Sequence, residues 1–272
     1  MSRFDSSVVR SVYQRVYLAL SICLKYIGKC YQITFRKIMP EYGYAYRNNI
    51  IVSRTKLFDS LLPRHFYPHP PEKSEYKNGN VKLMNKNVIE GDNVICIGGG
   101  YGVTAITAAR IVGNSGNVTV YEASKRQTEI IRDVIDLNCK NDNIDLIHGI
   151  VGENVHIYDG MGRPKHIQTT ELPDVDVVEM DCEGSEISIL ENMNINPRCM
   201  IIELHPHRYG EPRNKGIHLV EELGYQIVDV VDQYGNTIEY ERFKMFMHGD
   251  SSDALSTEFT KPFIISCVKP LN

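Results

Sequence analysis

The sequence predicts an α/β fold built on a mostly parallel, seven-stranded sheet whose last strand is antiparallel. Three observations predict it. From Asp92 onward, short apolar runs alternate with helical patterns. Glycines punctuate the boundaries, at Gly91-Asp92, Gly113-Asn114-Ser115-Gly116 and Gly224. The last two apolar runs have no helical pattern between them, so they pair as antiparallel neighbours.

The elements follow in order. Strands are expected at 93–98, 117–122, 143–149, 175–181, 199–204, 225–231 and 262–268. Helices are expected at 103–112, 124–138, 185–192 and 213–223. Alternation of this kind gives right-handed crossovers with helices on both faces of the sheet. Residues 153–171 interrupt the rhythm, and Asp159-Gly160 signals a hairpin turn there. Residues 239–258 are polar and read as an inserted loop.

Upstream the pattern changes. Residues 1–40 carry seven basic side chains against the single acid Asp5. Val8, Val9, Val12, Val16, Leu20, Cys23, Leu24 and Ile27 recur there at helical spacing. The apolar run Val16–Leu24 is too short to span a bilayer, which takes about 20 residues. The segment therefore reads either as a helix docked on protein, in this chain or a second copy, or as a basic amphipathic helix on an anionic membrane. Peripheral membrane contact through residues 8–27 and homo-oligomerisation both stay open. Residues 41–91 read as an accessory or lid segment with short strands, a Pro-rich connector and a turn at Asn78-Gly79. The division expected is 1–40, 41–91 and a catalytic domain at 92–272.

Composition limits the function classes. The 272 residues are 42% hydrophobic and 24% charged, with a net charge of −4, the balance of a water-soluble globular protein. No overall basic signature points to nucleic acid, so none is expected as a partner. The seven cysteines are scattered, odd in number and lack C-x-x-C spacing. They read as reduced thiols of a cytoplasmic protein.

The chemistry concentrates at the ends of the predicted strands. The stretch "CIGGGYG" places Gly98, Gly99, Gly100, Tyr101 and Gly102 between a strand and a helix, the entrance to a nucleotide site. A dinucleotide loop wants G-x-G-x-x-G, but Val103 stands where the third glycine should be. The spacing Gly98-x-Gly100-x-Gly102 is the one familiar from S-adenosylmethionine enzymes. Glu122, with Ala123 beside it, ends the second strand, where a carboxylate accepts ribose hydroxyls. Asp181, Glu183 and Glu186 cluster at the end of the fourth strand. A pyrophosphate set among Glu122, Asp181 and Glu183 costs about 4 kcal/mol per close pair at intermediate dielectric. A sulfonium and an ammonium suit the same acids. The loop and helix-start N–H groups are expected to take the cofactor's carboxylate.

The strings "VYEAS", "EMDCEGSEISIL" and "MIIELHP" follow the glycine loop at the order and rough spacing of the FkbM-type methyltransferases. The resemblance covers about residues 90–210. The family signature D-x-E-G-x-E matches Asp181, Glu183, Gly184 and Glu186; its apolar fifth strand ending in Glu, with His two residues on, matches Ile201, Ile202, Glu203 and His205. The resemblance implies a Rossmann-like class I methyltransferase fold and S-adenosylmethionine-dependent O-methylation, often of a sugar or polyketide hydroxyl. Small-molecule or glycan acceptors are the expected partners. Asp181, Glu183, His205 and His207 are the candidate catalytic residues, since a carboxylate or imidazole beside the acceptor removes its proton. Glu203 and His205, two apart and aimed to the same side, could with Asp181 hold a divalent ion such as magnesium, but no ligand spacing demands one and no metal is expected. The sequence departs from relatives at Cys96, where methyltransferases commonly carry an acid, and at Glu179, where a lysine often stands. Those departures keep a non-catalytic cofactor-binding or membrane-adaptor protein open, beside an NAD(P)-dependent oxidoreductase.

Overall fold

The computed structural model describes residues 6–56, 75–138, 143–152, 162–209, 212–247 and 261–270. The chain forms two units, Met1–Tyr46 with Ser53–Lys73, and Arg47–Val52 with Ser74–Asn272. The first contains the long helix α1 (Ser6–Ile33) and the single turn α2 (Phe35–Ile38). Among the described residues no helix is long and apolar enough to cross a membrane. On α1, Val16, Leu18, Leu20, Ile22 and Ile27 are exposed. Strands β1 (Glu41–Arg47) and β2 (Ile50–Lys56) make a two-stranded sheet. The two-residue turn between them, Asn48-Asn49, has both φ values positive, at 46° and 60°. Asparagine tolerates that left-handed backbone, which the tight hairpin turn requires.

The larger unit opens with α3 (Asn78–Asn87). A turn is expected at Asn78-Gly79, and the structure instead places both in the first helical turn. Gly79 serves close packing: a Cβ there would lie 2.5 Å from the carbonyl oxygen of Asp232. The missing side chain lets the helix seat Leu83 and Met84, both fully buried, against the sheet.

Strands β3 (Asn93–Ile97), β4 (Asn117–Glu122), β5 (Ile144–Val151), β6 (Lys165–Ile167), β7 (Val177–Met180), β8 (Cys199–Leu204), β9 (Gln226–Asp232) and β10 (Phe263–Val268) form one sheet. Their order is β6-β5-β4-β3-β7-β8-β10-β9. The pairs from β6 through β8 are parallel, and β10 runs antiparallel to both β8 and β9. This is the expected Rossmann-like class I methyltransferase arrangement with one strand more. The extra strand, β6, lies parallel at the edge of β5; the Asp159-Gly160 turn falls outside the described residues.

Helices α4 (Val103–Val112), α5 (Lys125–Asn138), α6 (Glu186–Asn192) and α7 (Lys215–Glu222) lie where the apolar periodicity puts them. The central strands are apolar on both faces, as a sheet covered on both sides requires. Ile95, Ile97, Met180 and Ile202 pack on one face; Val94, Cys96, Val177 and Ile201 pack on the other. Part of the stretch read as a polar inserted loop is helix α8 (Tyr240–Met247). Its Phe243 is fully buried and meets the Phe263 ring edge-on at 6.1 Å. Two apolar residues three apart, Phe243 and Phe246, anchor this helix among polar neighbours.

Candidate active site

The parallel strands end on one side of the sheet, and the β3–α4 turn sits between the tips of β4 and β7. Gly98 has φ +90°, and a Cβ there would lie 1.9 Å from the carbonyl oxygen of Asp181. Only glycine permits that approach. Gly102 has φ +74° and enters α4 from the left-handed region. Gly99 and Gly102 face Ile131 and its neighbours on α5 and serve packing. Gly98, Gly100, Tyr101, Glu122, Ala123, Asp181 and Glu183 all line one cavity of about 400 Å³. Tyr76, Tyr121, Gln127 and Cys182 line it too, and the sequence had not singled them out.

The glycine turn has closed on its own chain. Gly98 N–H donates to Tyr121 O at 2.9 Å, and Gly102 N–H donates to Gly99 O at 2.7 Å. Gly100 N–H donates to Glu122 Oε2 at 3.2 Å, while Ser124 N–H donates to Glu122 Oε1 at 2.8 Å. The N–H groups of Gly98, Gly100 and Gly102 thus have acceptors within the chain, one of them the Glu122 carboxylate. Burial raises the pKa of Glu122, and the backbone N–H bonds work against that rise.

The tips of β7 and β8 carry the acids. Asp181 follows β7 and its Oδ1 is buried without a hydrogen-bond partner. Its Oδ2 pairs with Lys77 Nζ, which also lies 3.9 Å from Glu179 Oε1. Lys77 precedes α3 in the left-handed region, at φ +57°, with its side chain 7% exposed. Burial opposes its charge, but Asp181 and Glu179 outweigh burial and raise its pKa well above the ordinary lysine value. Glu179 is fully buried, accepts a hydrogen bond from Asn80 Nδ2 at 3.1 Å, and is pushed up to about 7 by burial. A lysine is thus missing from position 179, and Lys77 brings an ammonium to the same tip. Buried acids call for a counter-charge, but 104 residues separate Lys77 from Asp181 and no local motif marks it.

Glu186 does more than favour a helix N-terminus. Its carboxylate accepts from Cys182 N–H at 3.0 Å and Gly184 N–H at 2.8 Å, and it pairs with His205 Nδ1 at 3.1 Å. The Tyr209 hydroxyl adds a bond at 3.3 Å. This bracket ties the loop after β7 to the end of β8 and fixes the His205 ring. Burial opposes charge on His205, yet the Glu186 bond and the surrounding carboxylates push it up to about 9. Glu203 is pushed up to about 7 by burial and by Asp181. Glu183 takes φ +54° and pairs with Arg208 Nη2 at 2.9 Å. His207 lies on the exposed side, its ring 6.0 Å from that of His205, so the two histidines occupy different environments.

A cation clamps the cavity wall. The Arg47 guanidinium, itself buried, sits 4.6 Å from the Tyr76 ring centroid and 4.1 Å from that of Tyr101. The stack holds both rings in place.

No protein-family model matches the chain, and no curated protein is similar to it. Several solved structures are similar to it. Fibrillarin of Aeropyrum pernix, with natively bound S-adenosyl-L-methionine, is 17% identical over 70% of this chain and 76% of its own, with a TM-score of 0.44. A SAM-dependent O-methyltransferase of Thermotoga maritima is 15% identical over 71% of this chain and 63% of its own, at 0.42. The precorrin-6y C5,15-methyltransferase of Geobacter metallireducens is 13% identical over 78% and 95%, at 0.43.

Proposed function

We propose that the chain is an S-adenosylmethionine-dependent methyltransferase acting on a hydroxyl, with a saccharide or glycan as the favoured acceptor. The observation that carries the reading is the Glu122 carboxylate lying against the glycine turn on the cavity, where it accepts from Gly100 N–H at 3.2 Å. Asp181 and Glu183 line the same cavity but pair with Lys77 and Arg208, so it is Glu122 that a pyrophosphate would face, at about 4 kcal/mol for a close pair of like charges. A sulfonium or an ammonium is attracted by that carboxylate. Glu122 is also placed to accept from ribose hydroxyls, since each carboxylate oxygen has a second lone pair.

Methyl transfer is an in-line displacement. The acceptor oxygen bonds the methyl carbon as the carbon–sulfur bond breaks, and that electron pair stays on sulfur. The acceptor proton passes to the Asp181 carboxylate, since His205, pushed up to about 9, already holds its proton near neutrality. Asp181 meets the acceptor, Lys77 holds its other oxygen, and Glu186 holds His205 behind it. Positioning of this kind supplies much of the rate. The match to the FkbM signature at Asp181, Glu183, Gly184 and Glu186 supports the O-methylation reading. The exposed apolar side chains and basic balance of α1 support contact with an anionic membrane, where a lipid-linked glycan would be met.

Calorimetric titration with S-adenosylhomocysteine, and separately with NADPH, tests the cofactor. Binding of the first alone is expected, with Glu122→Gln weakening it at least tenfold. Binding of NADPH alone contradicts the reading. Methyl incorporation from labelled donor into extracted glycans tests the acceptor.

A further inference from the structure

We propose that Asp181, Glu183 and His205 bind a divalent transition-metal ion at the tips of β7 and β8. One ligand atom from each lies within 4.8 Å of the others. His205 is the decisive member. Its side chain is 3% exposed, and Glu186 fixes Nδ1. Nε2 is left facing Asp181 Oδ1 at 3.6 Å, Glu183 Oε2 at 3.8 Å and Glu203 Oε1 at 4.0 Å.

None of these is a hydrogen bond, which needs about 2.7–3.2 Å. Three oxygens around one buried nitrogen, all slightly too far, is the spacing of donors around a shared centre. Bonds of about 2.1 Å at octahedral to trigonal angles put ligand atoms roughly 3.0–3.6 Å apart. A small contraction therefore closes the site. Asp181 Oδ1 is buried without a hydrogen-bond partner, and Lys77 holds the opposite oxygen. That pairing turns Oδ1 toward His205. Glu183 Oε2 also pairs with Arg208 Nη2 at 2.9 Å, so the ion shares this half-exposed carboxylate with the guanidinium.

The carboxylate behind the imidazole is a further sign. Metal-bound histidines commonly direct their other ring nitrogen to a carboxylate, which sets the tautomer and ring angle. Glu186 is held for that role by two backbone N–H groups. One imidazole with two or three carboxylates favours Mn²⁺ or Zn²⁺ over the all-oxygen ions Ca²⁺ and Mg²⁺. Asp181 and Glu183 line the cavity, so an ion there keeps positions open toward a hydroxyl ligand. The ion and a proton compete for the same Nε2 lone pair, so binding releases any proton held there.

Metal binding needs no methyl donor, so it stands or falls apart from the methyl-transfer reading. The metal-stripped full chain is titrated with MnCl₂, and separately with ZnCl₂, by calorimetry, with Mn²⁺ also followed by electron paramagnetic resonance. One ion per chain is expected, and His205→Gln and Asp181→Asn each weaken it at least tenfold. Should the buried His205→Gln variant not fold, Glu183→Gln is the second probe, its affinity falling at least threefold with an unchanged melting temperature. S-adenosylhomocysteine affinity, measured on the stripped chain, reports on the cofactor site separately. No binding of either ion at millimolar concentration overturns the proposal. So does binding that all folded variants leave unchanged.

Discussion

The cavity has two walls built by different means. The wall at β3 and β4 is made of backbone: glycines with positive φ, a turn closed by its own N–H groups, and one carboxylate caught inside it. The wall at the tip of β7 is made of side chains: Asp181 and Glu183 line it, backed by Lys77, Glu186 and His205 from three separate stretches. A backbone wall is written in a short contiguous string, so a sequence exposes it. A side-chain wall depends on which distant residues the topology delivers, so only its acids announce themselves. The first wall tolerates loss of a side-chain contact but not an added atom. The second fails when one charge is removed.

Substitutions break this contrast in order of size. Lys77→Met leaves Asp181 and Glu179 buried beside each other without their cation. Removing one partner of a buried pair costs about 3–5 kcal/mol, and chemical denaturation should show a loss near that range. Turnover is expected to fall far more than S-adenosylhomocysteine affinity, because the defect lies in the second wall. Gly98→Ala does the reverse. An added Cβ collides with the Asp181 carbonyl at a positive φ, and strain with overpacking costs roughly 2–4 kcal/mol. Cofactor affinity, read by calorimetry, should be lost with it.

Smaller changes sharpen the comparison. Glu186→Gln keeps the shape of the bracket but removes its charge, and hydrogen bonds to charged groups are worth about 1.5–3 kcal/mol. Its melting temperature should drop, with the His205 ring resonances shifting as Nδ1 loses its carboxylate. Gln127→Ala removes only the bond from Gln127 Nε2 to Gly100 O. About 1 kcal/mol or less is expected in stability, with a few-fold loss of cofactor affinity.

The legibility of the sequence follows the same division. The helices after Gly102 and Ser185 were readable because apolar periodicity and glycine boundaries agree there. Strand β6 was not, because three residues carry too little alternation to register. Helix α3 hid behind Asn78-Gly79, a pair whose turn propensity is overruled by the packing of Gly79 on β9. Asp181, Glu183 and His205 stood out as acids and an imidazole at strand ends, and the fold brings them together. Lys77 could not be read, since nothing near it in sequence explains a buried ammonium.

A crystal grown with S-adenosylhomocysteine tests the assignment of the two walls most directly. The ribose hydroxyls are expected on Glu122 and the sulfur on the side of the cavity facing Asp181, with the glycine turn unchanged. An adenosyl group bound elsewhere, or a turn that opens to admit a phosphate-bearing ligand in its place, contradicts it.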